Sequence, residues 1–325
     1  MRIGKKSSKR EKKAMSVSLY ANLMFVVVEL VMAIVTGSVL LDGVYDGIEF
    51  VMLLPSIFLI PLLYKPSNEK YPFGHMQMET VFIVVKGITM ITVTVGLITN
   101  SINILFHGGR TVDFGVVAWF ELFACVLGII VTFYLKRKNK AMNSPLITVE
   151  MQGWKMDSML SLGMTAVFFL PVFLPFKGVG QLTPYLDPFI TIVLSMIMLP
   201  IPVKTVFTGI RDLLLISPEE ETVSEIKQTV EPIIQESNCV DIYYDIVRTG
   251  RKLWISAYIK LNKDELSVRK FKMLQTRCIA ALSEKYTDFY FELLPEIELD
   301  MEELEELQEK QEKQQMENKN GREDK

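Results

Sequence analysis

Histidine is nearly missing from this chain: His75 and His107 are the only two in 325 residues. Cysteine is almost as scarce, with Cys125, Cys239 and Cys278 forming no CxxC pair, so the sequence offers no disulfide framework. There is no HExxH motif and no nucleotide-binding glycine loop, which leaves a membrane enzyme without a signature; the chain is read as not an enzyme. Net charge is also low, −3, but it is unevenly placed. A basic head (Arg2, Lys5, Lys6, Lys9, Arg10, Lys12, Lys13) suits an anionic lipid surface, and the far end is acidic and Lys-rich. No nucleic-acid partner is expected.

What the chain has is apolar sequence. Half of its residues are hydrophobic, too many for an ordinary soluble enzyme. Runs able to cross ~30 Å of hydrocarbon at ~1.5 Å per residue recur at roughly 16–36, 39–64, 80–106, 115–135, 147–176 and 188–210. The first is too long for a signal peptide and lacks a small-residue cleavage pattern, so it is read as a retained span. Basic residues collect in the head, in the 65–78 loop and in KRKNK at 136–140, whereas the opposite loops offer little more than Arg110 and Lys177. Both termini are therefore expected to be cytoplasmic, in a multi-pass protein of the plasma membrane.

After Arg211 the character changes. In LLLISPEEETVSEI, Ser217 reads as an N-cap, Pro218 as the first helical residue, and Glu219 to Glu221 as complements of the helix dipole. CVDIYYDIVR and KLWISAYIKL, separated by Thr249 and Gly250, read as a hairpin; a helix through Lys285 and the strand DFYFELL follow. The predicted architecture is an all-α membrane domain of six helices followed by a cytosolic α+β domain of order αββαβ. Its parts are a basic N-terminus (1–15), a transport domain (16–211), a cytosolic domain (212–297) and a charged, disordered tail (298–325).

Charge inside the apolar runs is the unusual feature. LLDGVYDGIEF places Asp42 and Asp46 four apart, on one helix face about 6 Å along the axis, with Glu49 extending the stripe. In the fifth run Glu150 and Asp157 share a face, and Lys155 lies on another. An ionised carboxylate in hydrocarbon costs at least ~2.5 kcal/mol, so such a stripe must meet water, cations or protons. For Glu29, Glu49, Lys86, Glu150 and Lys155 two readings stand together: a functional role, or ion pairs and snorkelling that hold helices. Converging carboxylates suit a divalent cation, and the same groups can take up protons when it leaves. Pro55, Pro61, Pro171, Pro175, Pro200 and Pro202 mark places where these helices can bend.

GSVLLDGVYD, KYPFGHMQMET, the aspartate of the fifth run, DPFITIVLSMIML and RDLLLISPEEE, in this order, resemble the cation diffusion facilitators over about 16–295. The resemblance implies a metal/proton antiporter that exports a divalent cation, and a homodimer joined through the cytosolic domain. It assigns metal binding to Asp42, Asp46 and Asp157. Gly153 stands where the family carries a fourth ligand, His or Asp, so Gln152, Glu150 or water would complete the shell. No resident cofactor is implied, only the transported cation: manganese, iron(II) or zinc, with the all-oxygen set favouring the first two. His75, beside Asn68 and Tyr71 in the loop where relatives bind extra metal, is expected to form a structural hydrogen bond, and His107 to be solvated. Cys239, Asp241 and Glu292 are expected in core or surface roles. The alternative is a family member that no longer transports and works as a scaffold or sensor through its cytosolic domain, a reading that Gly153 and Lys155 favour.

Overall fold

The computed structural model describes residues 2–36, 40–66, 68–71, 74–109, 114–173, 179–236, 239–261 and 267–296, with the side chains of 2–6, 33, 35–36, 40–43 and 170–183 outside the description. The tail assigned to 298–325 and Pro175 lie outside the described residues. The chain forms two compact units, residues 1–216 with 248–252, and residues 217–247 with 253–325.

Among the described residues the first unit contains seven helices: α1 Arg2–Thr36, α2 Leu40–Leu63, α3 Met76–Phe106, α4 Phe114–Asn139, α5 Pro145–Phe173, α6 Val179–Met198 and α7 Pro200–Leu213. Five segments among the described residues are long and apolar enough to cross a membrane: Ser7–Met32, Val44–Leu63, Met76–Phe106, Gly115–Asn139 and Pro184–Leu213. The described part of the remaining apolar run, 147–173, falls on α5, where Glu150, Lys155 and Asp157 dilute the hydropathy. α5 packs against α4, α6 and α3, so Glu150 and Asp157 can face protein, whereas Lys155 is exposed. The helix of the first span begins at Arg2 and not near Ser16, because the Lys- and Arg-rich head is itself a good helix former.

The last span is also divided. A break at Leu199 separates α6 from α7, since Pro200 and Pro202 have no N–H to return to the preceding turn. Leu199 N–H still donates to Ser195 O at 2.9 Å, which keeps the two helices nearly continuous. Pro55 and Pro61 stay inside α2 without ending it.

Within the first unit a buried cluster joins five segments. Arg251 donates to Glu11 Oε1 at 2.9 Å and to Glu79 Oε1 at 2.6 Å. Tyr64 OH donates to Glu11 Oε2 at 2.7 Å and Ser144 Oγ to Glu11 Oε1 at 2.5 Å. Both carboxylates are fully buried, so the guanidinium with its bidentate reach offsets their desolvation. Gly250, at φ +59°, donates its N–H to Thr80 Oγ1 at 3.0 Å. A Cβ there would stand 2.6 Å from Met76 O, so this approach requires glycine.

The second unit carries α8 Glu220–Gln235, β1 Asp241–Thr249, β2 Lys252–Lys260, α9 Val268–Ser283 and β3 Phe289–Glu296, the predicted αββαβ order. The sheet order is β1-β2-β3, with β3 parallel to β2 from Leu253↔Phe289 to Lys260↔Glu296 and α9 as the crossover. Ile226, Val230 and Ile234 recur every fourth residue on α8, and Leu253, Ile255, Ala257 and Ile259 every second on β2; both stripes meet Leu274, Cys278 and Leu282 of α9 in one core. Ser217 does not cap α8, which starts after Glu219; its hydroxyl donates to Ile246 O at 3.1 Å. Pro218 therefore precedes the helix instead of opening it.

Candidate intramembrane carboxylate site

A cavity of about 150 Å³, room for several waters, lies among the helices of the first unit. Glu29 of α1, Tyr45, Asp46 and Glu49 of α2, Asp157 of α5 and Asp187 of α6 line it. Tyr45 and Glu49 are one turn apart, so they continue one stripe of α2 with Asp46 beside it. Asp157 is within electrostatic range of Glu49 first and Asp46 second. The two sequence-assigned residues whose side chains are described, Asp46 and Asp157, thus open on one space. The side chain of Asp42 lies outside the described residues.

Position 153 explains why Glu49 matters. A Cβ on Gly153 would stand 3.8 Å from Glu49 Oε2 and 4.0 Å from Met90 Cε. The side of α5 that lacks a side chain therefore faces the Glu49 carboxylate. Sequence reasoning placed Glu49 on the Asp42 stripe but did not assign it to the site. Spacing along α2 gave no signal that could single it out, because Asp42 with Asp46 is an equally good one-turn pair.

The two groups proposed to complete the shell are engaged elsewhere. Gln152 Oε1 accepts from Thr205 Oγ1 at 3.2 Å and lines a second cavity, of about 780 Å³, with Thr80, Lys204 and Asp212. Glu150 forms a buried ion pair with Lys86 of α3, and its other oxygen accepts from Ser18 Oγ at 2.6 Å and Trp154 Nε1 at 3.1 Å. Lys155 is exposed and does not line the carboxylate cavity. Among the described residues, no three His, Cys, Asp or Glu side chains stand close enough to share one metal ion. The cavity is an open, acid-lined space and not a closed cage.

The minor candidates fall outside this space. His75 is buried at the start of α3 and stacks on Tyr71 with ring centroids 4.4 Å apart. Its Nδ1 has no hydrogen-bond partner among the described residues, so stacking rather than the expected hydrogen bond positions it. Asn68 Oδ1 instead accepts from Tyr71 N–H at 2.8 Å. His107 is exposed beside Asn103 O at 2.8 Å. Glu292 accepts from Ser256 Oγ at 2.7 Å, and Asp241 from Ile242 N–H at 2.8 Å.

The cation efflux transmembrane domain matches residues 15–214, about three-fifths of the chain and all of the spans around the cavity. The chain belongs to the cation efflux family. It is 24% identical over 200 residues to an uncharacterized transporter, YdbO, of Bacillus subtilis, covering 58% of this chain and 63% of that protein. It is 24% identical over 149 residues to the manganese efflux system protein MneS of the same organism (45% and 51%). Similarity to the manganese efflux system protein MneP is 23% over 229 residues (69% and 76%). The aligned chain thus spans between half and two-thirds of the first two relatives' lengths. Family membership with several apolar helices makes this an integral, multi-pass membrane protein of a transporter family rather than one of classical enzymes.

Proposed function

We propose that this chain exports a divalent metal cation from the cytosol in exchange for protons, with Asp46, Glu49 and Asp157 as intramembrane binding groups that draw together around the ion and Asp42 as a further ligand from α2. The observation that carries the reading is that Asp46 and Glu49 of α2 and Asp157 of α5, within a cation efflux domain, open on one cavity. Oxygen-only ligands suit a harder ion than zinc, and two relatives are described as manganese efflux proteins, so manganese is the first candidate and iron(II) the second. Several carboxylates in one low-dielectric space cannot all stay ionised when the ion departs, which is where protons enter. The basic loops support cytosolic termini, and location in the plasma membrane and a homodimer contact through the αββαβ unit belong to the same proposal. The protein reconstituted in liposomes with a manganese-sensitive dye tests this. Asp157→Asn and Glu49→Gln each reduce flux at least tenfold; equal flux from parent and variants overturns it and leaves the scaffold reading.

A further inference from the structure

Resting on that reading, we infer that Lys86 is a tethered cation of the transport site, held away from the ligands by Glu150, and that this pair sets how strongly the site binds its metal. Lys86 and Glu150 are both almost completely buried, at 3% and 2% exposure, and they bridge α3 and α5. Glu150 is fixed from two sides, by Ser18 of α1 and by Trp154 one turn along α5, and Trp154 Nε1 also reaches Ser18 Oγ at 2.6 Å. The ammonium has three N–H donors, and Glu150 takes one of them.

The pair lies beside the metal-binding carboxylates. Met90, one turn from Lys86 on α3, stands against the Gly153 position that faces Glu49. The charges that act on Lys86 are Glu150 first, then Glu49 and Asp157. Lys86 lies within electrostatic range of both Glu49 and Asp157 as well as of Glu150. One fixed positive charge therefore competes with the metal for the same carboxylates, and Glu150 is the residue that keeps it occupied. If Glu150 loses its charge, the ammonium is free to pair with Glu49 or Asp157 and resists the metal. If Lys86 is removed, that resistance is gone.

A pair that only cements α3 to α5 behaves differently. Breaking it from either side leaves a buried orphan charge, and both single variants then suffer in the same direction. The experiment measures manganese affinity by isothermal titration of the full-length protein in detergent for the parent, Lys86→Met, Glu150→Gln and the double variant, with thermal unfolding recorded for each. Lys86→Met binds manganese at least tenfold more tightly, Glu150→Gln at least tenfold more weakly, and adding Lys86→Met to Glu150→Gln restores affinity to the parent's or better. Affinity falling in both single variants, or changing in neither, overturns the inference while leaving the transport reading intact. A variant too unstable to titrate is replaced by Lys86→Gln or Glu150→Met, with the same signs required. No manganese binding by the parent contradicts both.

Discussion

Putting a carboxylate at position 153 sets two forces against each other. In Gly153→Asp the new Cβ stands 3.8 Å from Glu49 Oε2 and 4.0 Å from Met90 Cε, ordinary contact distances that require no backbone shift. Without metal, a second carboxylate ~4–6 Å from Glu49 is repelled by about 3–4 kcal/mol at an effective dielectric of ~20. Leaving glycine inside α5 returns only a few tenths of a kcal/mol. The metal-free variant is therefore less stable than the parent by roughly 2–4 kcal/mol, unless it takes up a proton. With metal, the same oxygen becomes an extra ligand. Manganese at about 100 times its Kd contributes ~2.7 kcal/mol by linkage, and a tenfold gain in affinity adds ~1.4 kcal/mol at the same free concentration. Thermal unfolding in detergent, with and without manganese, reads both effects: a lower Tm than the parent's without metal and a larger metal-induced rise. Gly153→Ala is the control, gaining about 0.5–1 kcal/mol from helix propensity with an unchanged response to manganese. An Asp variant whose manganese response is no larger than the Ala variant's refutes the placement of position 153 beside the metal.

Three further outcomes follow from other parts of the molecule. Arg251→Met leaves Glu11 and Glu79 buried without their cation and costs about 3–5 kcal/mol, seen as a fall in Tm; a shift within error contradicts the buried-cluster assignment. Burial pushes the Cys278 thiol up to about 11 from an ordinary value of 9.0, so the folded state favours the protonated form. That contribution is complete below pH 9.0 and is lost as pH rises towards 11; Cys278 is accordingly slow to react with maleimide at pH 8 until the protein unfolds, and rapid labelling in the folded state contradicts it. Ile226→Ala empties a fully buried position in the second unit's core and costs about 2–5 kcal/mol by denaturant titration of that unit's signal in the full chain; a loss under 1 kcal/mol contradicts the core assignment.

Periodicity made much of the architecture legible. Apolar runs located the spans, and alternation between Leu253 and Ile259 with the fourfold spacing of Ile226, Val230 and Ile234 located the sheet and its helix. Local capping chemistry was less reliable, because Ser217 found a better acceptor in Ile246 O than the helix could offer. The site was only partly legible for a related reason. Along LLDGVYDGIEF, Asp42 with Asp46 and Tyr45 with Glu49 are equally good one-turn pairs, and spacing within α2 cannot tell which of them faces α5. That depends on the rotation of one helix against another, which Gly153 reveals only once α5 is in place. Glu150 posed the converse problem: its spacing from Asp157 suggested a ligand, whereas Ser18, Trp154 and Lys86, from three separate stretches, make it the anchor of an ion pair. Arg251 gave no signal, being one basic residue in a turn until its buried partners are seen together.

The most direct measurement is the position of manganese itself, by anomalous diffraction from crystals of the full-length protein grown with the metal. The account predicts a peak within ~2.5 Å of oxygens from both Glu49 and Asp157, lost in the Asp157→Asn variant. Density confined to the αββαβ unit, or a peak in the membrane unit that touches neither residue, would contradict it.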